Sequence, residues 1–113
     1  MKIAIIEDDS YTRKMIAEFL KRDGMRNIET DDGIGALSMI MNGSPDIVIL
    51  DVNLPEKSGY EICSLVRENP KIYGNPIILM LTGEVDGEKV KKGFKTGADD
   101  YILKYIKKPE KQS

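Results

Sequence analysis

The sequence predicts an α/β domain, a doubly wound five-stranded parallel sheet, and three observations predict it. Short apolar runs alternate with segments of helical periodicity, the pattern of repeated βα units. The runs Ile3–Ile6, Ile47–Leu50 and Ile77–Leu81 show no alternation of polar and apolar residues, as expected of parallel strands buried on both faces. A length of 113 residues, 41% apolar and 32% charged, suits one globular core and has no room for a second. Right-handed crossovers then close the units into an open sheet with helices on both sides.

Taken in order, Ile3–Ile6 reads as the first buried strand. Asp9 or Ser10 can cap the following helix, whose positions Thr12, Ile16, Phe19 and Leu20 fall on one face, and Gly24 ends it. A weaker strand spans Arg26–Thr30. A short helix runs from about Ile34 to Asn42 with Leu37, Ile40 and Met41 inward, and Gly43-Ser44-Pro45 breaks it. Ile47–Leu50 is the clearest central strand and leads straight into Asp51. Tyr60–Glu68 forms a helix with Ile62, Leu65 and Val66 buried, and Pro76 introduces the strand Ile77–Leu81, which ends at Thr82. A charged helix from about Asp86 to Lys95 turns Val90 and Phe94 inward and stops at Gly97, before the last strand Tyr101–Leu103 reaches Lys104.

Composition excludes several function classes. There is no histidine, so histidine metal sites, serine–histidine catalysis and self-phosphorylation on histidine are excluded within the chain. Cys63 is the lone cysteine and cannot form an internal disulfide, and Met1–Glu7 is not a signal peptide. No apolar run approaches the roughly 20 residues that span a bilayer. An intracellular, cytoplasmic chain is expected. The charge is uneven: residues 1–84 hold 9 basic and 14 acidic groups, residues 85–113 hold 8 lysines and 5 acids. A modest lysine excess reads as a solvated face, and no helix-turn-helix accompanies it, so no direct nucleic-acid contact is expected from this domain.

The carboxyl ends of parallel strands share one edge, where ligands bind. Glu7-Asp8-Asp9 follows the first strand, Asp51 ends the third, Thr82 the fourth and Lys104 the fifth. Each has a bland explanation: a helix N-cap run, a turn, a strand exit, a solvated lysine. Four strand ends supplying complementary chemistry are harder to explain that way. Carboxylates packed together have raised pKa values unless a cation neutralises them, and Mg²⁺, a hard ion that keeps some of its waters, suits such a pocket.

The segments Ile3-Ala4-Ile5-Ile6-Glu7-Asp8-Asp9, Ile49-Leu50-Asp51-Val52-Asn53-Leu54-Pro55 with Gly59, Leu81-Thr82-Gly83 and Gly97-Ala98-Asp99-Asp100-Tyr101-Ile102-Leu103-Lys104 resemble, in order, the response-regulator receiver domains of two-component signalling, the CheY-like family. The resemblance covers nearly the whole chain, as a single receiver domain over residues 1–113. It implies the flavodoxin-like strand order 2-1-3-4-5. It also implies that Asp51 accepts a phosphoryl group from a sensor histidine kinase or a histidine phosphotransfer protein. By the same resemblance Asp8 and Asp51 hold Mg²⁺, Glu7 acts through water, and the Asn53 backbone carbonyl completes the set. Thr82 and Lys104 contact the phosphoryl group, Thr82 and Tyr101 form the switch, and Asn53 and Glu84 tune its lifetime. Asp9 is left to cap the first helix.

Two features depart from the family pattern. Tyr105 follows Lys104 where the family has proline, and Lys108 precedes Pro109, but Lys104 keeps the family spacing from Thr82 and from Gly97. The family's fifth helix, the one after the last strand, is expected to be truncated or missing after about residue 105, which would open the sheet face beside the first helix and suit a homodimer or another covering partner. A degenerate receiver acting as a phosphorylation-independent binding module is the alternative. A haloacid-dehalogenase-type phosphotransferase needs an aspartate where Asn53 stands. A flavodoxin-like redox protein needs a glycine- and hydroxyl-rich loop where Glu7-Asp8-Asp9 stands.

Overall fold

The computed structural model describes residues 1–83 and 87–104, with backbone alone for residues 87–89. Glu84, Lys108 and the segment after about residue 105, where the family's last helix is expected to be truncated or missing, lie outside the described residues. The elements are β1 (Lys2–Ile6), α1 (Ser10–Arg22), β2 (Arg26–Thr30), α2 (Gly33–Gly43), β3 (Ile47–Asp51), α3 (Gly59–Glu68), α4 (Pro70–Tyr73), β4 (Ile77–Thr82), α5 (Gly87–Lys95) and β5 (Asp100–Leu103). All strand pairings are parallel, in the order β2-β1-β3-β4-β5, as the resemblance implies.

Local chemistry sets the helix starts. The Asp9 carboxylate accepts from the Thr12 amide at 3.0 Å, Asp32 accepts from the Gly35 amide at 2.5 Å, and Ser58 Oγ accepts from the Glu61 amide at 3.3 Å. Each satisfies an amide that the first helical turn leaves without a partner. Helix α1 ends at a turn in which Gly24 takes a φ of 75°, the left-handed conformation its position suggested. Helix α4 is absent from the sequence reading: four residues are too few to show a period, and Pro70 at its first position is the remaining signal.

The two faces of the sheet bury unequal cores. Ala4, Ile6, Val48, Leu50, Ile78 and Met80 pack with Ala36 and Ile40 of α2 and with Ile62, Cys63 and Val66 of α3. On the other face Ile3, Ile5, Ile49 and Leu81 meet Ile16, Ala17 and Leu20 of α1. Residues that neighbour each other in the chain thus enter opposite cores, which is why the strands read as unbroken apolar runs. Strand register places Ile77 beside Ile47 and Ile102 beside Leu81 on the α1 face, where they are 48% and 38% exposed.

Three side chains expected inward point outward: Phe19, Met41 and Phe94. In α1 the buried stripe runs through Thr12, Ile16, Ala17 and Leu20, and Phe19 stands about 100° round the helix from Leu20. Met41 has the same offset from the buried Ile40. Phe94 lies against the edge of the sheet, its ring edge-to-face with Tyr101 at 5.3 Å.

Candidate functional site

Register alone brings the acidic groups together. Strands β1 and β3 are neighbours with Ile6 beside Leu50, so Glu7 and Asp51, one residue further on, leave the sheet side by side. Asp51 in turn stands beside Leu81, one residue before Thr82, and Thr82 stands beside Leu103, one residue before Lys104. Glu7, Asp51 and Thr82 are buried while Asp8 is exposed, so the pocket has charged walls and an open mouth.

Carboxylate oxygens of Glu7, Asp8 and Asp51 all lie within 4.8 Å of one another. Asp51 Oδ1 accepts from the Asn53 amide at 3.1 Å, and its Oδ2 meets the Lys104 ammonium at 3.4 Å. Lys104 lies closer still to Glu7, 2.5 Å from Oε1, an ion pair by distance although no well-directed hydrogen bond reaches that oxygen. The Lys104 backbone amide donates to the Thr82 carbonyl at 2.6 Å and ties the end of β5 to the end of β4.

The electrostatics are those of an anionic pocket short of positive charge. Burial, reinforced by hydrogen bonding to Asp51, pushes the Glu7 carboxyl up to about 8 even though Lys104 and the Asp9 amide pull it down. Burial works against the charge on Lys104, but Glu7 and Asp51 outweigh it and hold the ammonium above the ordinary lysine range. A buried carboxyl raised to about 8 beside two other acids marks a place where a hard cation with oxygen ligands fits.

Of the residues singled out from sequence, Glu7, Asp8, Asp51, Thr82 and Lys104 stand at this edge, with Asn53 in contact through its amide. Asp9 caps α1, its carboxylate accepting from the Thr12 amide and hydroxyl. Tyr101 lies away from the acids, half-buried against α3 and α5. Glu84 falls outside the described residues. Sequence reasoning missed Arg13, whose guanidinium donates to the Glu7 carbonyl at 2.8 Å and pairs with Glu29 at 3.6 Å. The available signal was a basic residue one turn into the helix that the acidic loop opens.

A doubly wound sheet whose carboxyl edge gathers three acids, a hydroxyl and an ammonium is the arrangement that the resemblance to receiver domains implies. The chain belongs to the response regulator receiver domain family, whose description matches residues 3–112. Such a domain is a receiver of two-component systems and not a classical enzyme. The chain is 35% identical over 109 residues to the DNA-binding response regulator MtrA of Mycolicibacterium paratuberculosis, covering 96% of this chain and 47% of that protein. It is 30% identical over 110 residues to Protein PilG of Pseudomonas aeruginosa, covering 97% and 81%. Among solved structures it resembles chemotaxis protein CheY4 of Vibrio cholerae, with a TM-score of 0.86, 31% identity and coverage of 94% and 88%. The BeF3-activated N-terminal receiver domain of Klebsiella pneumoniae RstA is equally similar, with a TM-score of 0.86, 31% identity and coverage of 95% and 88%. The chain spans about half the length of the MtrA proteins it matches. The acidic cluster is typical of a receiver's Mg²⁺ site, and no helix among the described residues is long and apolar enough to cross a membrane.

Proposed function

We propose that this domain is a phosphoacceptor switch in which Asp51 takes a phosphoryl group from a phosphohistidine of a sensor histidine kinase or histidine phosphotransfer protein. An Asp51 carboxylate oxygen attacks phosphorus, the P–N bond to the donor histidine breaks, and the products are an aspartyl phosphate and a free imidazole. The observation that carries this reading is the placement of Asp51: 2% exposed, 3.4 Å from Lys104, and sharing a pocket with Glu7 and Asp8.

Asp8 and Asp51 would hold Mg²⁺ directly, the Asn53 carbonyl would complete the protein ligands, and Glu7 would act through water. The ion supplies positive charge that neutralises phosphoryl oxygens during an in-line transfer. Lys104 supplies the second positive charge, and the Thr82 hydroxyl donates to a phosphoryl oxygen. Asn53 and Glu84 tune how fast water removes the group. Movement of Thr82 toward the phosphoryl group is relayed to Tyr101 and alters the surface made by α5 and β5, a population shift between two packings.

The domain works in the cytoplasm and passes the signal to a downstream output domain or protein. The partly exposed Ile77 and Ile102 suit cover by a second copy, which light scattering over a concentration series tests. The central experiment is intact-mass analysis after incubation with acetyl phosphate and Mg²⁺. One phosphoryl group is expected on the wild type and none on Asp51→Asn. Undiminished labelling of that variant would place the acceptor elsewhere.

A further inference from the structure

Tyr101 occupies a notch that only glycine can provide. It lies on β5 with its ring packed against the larger core, and its hydroxyl reaches the middle of α5, where a Cβ built on Gly93 would overlap it. Glycine inside a helix weakens that helix relative to alanine, so position 93 gives up helical stability and opens room for the phenol. The hydroxyl shares a hydrogen bond with Tyr60 at the start of α3. The Tyr60 ring is itself covered by the Lys92 ammonium at 5.0 Å, and Phe94 closes the other side of Tyr101 edge-to-face at 5.3 Å. Burial, and after it the neighbouring Tyr60, push the Tyr101 phenol up to about 12.

We propose that Tyr60 and Gly93 form a latch that holds Tyr101 docked between α3 and α5 before any phosphoryl group arrives. Tyr60 and Gly93 are therefore positioning residues for the switch tyrosine. The regulatory consequence rests on the reading of Asp51 as phosphoacceptor: phosphorylation reinforces a packing of α5 and β5 that is already favoured, instead of creating it. How strongly the surface responds is then set by the latch. Loosening it undocks Tyr101 at rest and leaves phosphorylation to drive it back into the notch.

The test is fluorine NMR of the full chain carrying 3-fluorotyrosine, with the Tyr101 resonance identified by its loss in Tyr101→Phe. In the wild type this resonance is expected close to the buried position at rest, with a small solvent isotope shift, and to move only slightly further toward it with Mg²⁺ and beryllofluoride. Gly93→Ala strengthens the helix while filling the notch, and should move the resonance to the exposed position in both conditions. Tyr60→Phe leaves the notch open but removes the hydrogen bond. Its resonance should sit between the two positions at rest and move to the buried one with beryllofluoride. A wild-type Tyr101 that is exposed at rest and becomes buried only with beryllofluoride overturns the latch. So does a Gly93→Ala variant whose Tyr101 stays buried, or a Tyr60→Phe variant as docked at rest as the wild type. Failure of acetyl phosphate to label the wild type would sink the phosphoacceptor reading alone, because the comparison at rest uses no phosphoryl group.

Discussion

The Lys104 ammonium stands 2.5 Å from Glu7 Oε1, and Glu7 is completely buried. This pair ties the last strand to the first across the edge of a sheet in which β1 and β5 are not neighbours. The lysine that would contact a phosphoryl group is thus parked on an acid, with Asp51 as its longer contact at 3.4 Å. Burial, and after it hydrogen bonding to Asp51, raises the Glu7 carboxyl to about 8, and the single ammonium of Lys104, shared with Asp51, lowers it without cancelling that rise.

Glu7→Gln relieves that crowding. Lys104 retains Asp51 as partner, and the buried group at position 7 no longer has a proton to lose. With the metal chelated at pH 8, the variant is expected to melt above the wild type. Its Mg²⁺ affinity should fall by about 10–100-fold, the usual effect of losing a group that supports the ligands. Calorimetric unfolding with chelator and titration with Mg²⁺ check the two halves. A variant that melts lower and binds Mg²⁺ normally contradicts both.

The same group sets a pH dependence. In the metal-free protein Glu7 titrates near 8, against 4.5 as the ordinary value. The native state therefore binds more protons than the unfolded one between these values, and stability contributed by Glu7 is full below about 4.5 and lost as pH rises to about 8. Chelated protein is expected to lose stability across that window, and Glu7→Gln to show a flatter profile. Mg²⁺ removes the penalty by supplying charge, so its stabilising effect should grow with pH. Denaturant midpoints at several pH values, with chelator and with Mg²⁺, measure this directly.

Much of this was legible in the chain. Ile3–Ile6, Ile47–Leu50 and Ile77–Leu81 announced buried strands because parallel strands bury both faces, and their ends located Glu7, Asp51 and Thr82 at one edge. What stayed hidden depends on geometry that no periodicity carries. Phe19 and Phe94 lie at helical spacings that look inward, yet a shift of one residue, about 100°, takes a side chain to the surface. Direct contact between Glu7 and Lys104, 97 positions apart in the chain, follows only once the strand order is known. The notch at Gly93 depends on where β5 places a phenol, and a lysine-rich helix gives no hint of it.

Adjacent acids of the β1–α1 loop should separate cleanly by phenotype. Asp9 supplies the cap of α1, its carboxylate taking both the amide and the hydroxyl of Thr12. Asp9→Ala is expected to cost about 1 kcal/mol of stability and to leave labelling by acetyl phosphate intact. Its backbone amide, which donates to Glu7 Oε2 at 3.1 Å, survives the substitution. Asp8 is exposed at the mouth of the acidic cluster, so Asp8→Ala should keep the wild-type melting temperature in chelator and abolish Mg²⁺-dependent labelling. Reversed phenotypes would exchange the two roles.

Arg67 tests stability at the opposite edge of the sheet. Its Nε donates to the Gly97 carbonyl at 2.8 Å, and one terminal nitrogen donates to the Pro76 carbonyl at 2.7 Å and to Asn75 Oδ1 at 3.0 Å. The other nitrogen meets Asp99 Oδ2 at 2.7 Å, and that same oxygen accepts from the Ile78 amide at 2.8 Å. The guanidinium thus joins α3 to the entry of β4 and the turn before β5. Asp99 is half exposed, so the ion pair itself contributes little, and the partly buried carbonyl contacts dominate. Arg67→Ala is expected to cost about 2–3 kcal/mol, within the range for hydrogen bonds from a charged donor. Arg67→Lys should recover less than half of that, because an ammonium cannot reproduce the planar fork. Labelling of Asp51 should persist in both variants while they are folded, since the clamp lies at the amino ends of β4 and β5 and the acids lie at the carboxyl ends. Full rescue by lysine would mean that charge, not the fork, holds this edge together.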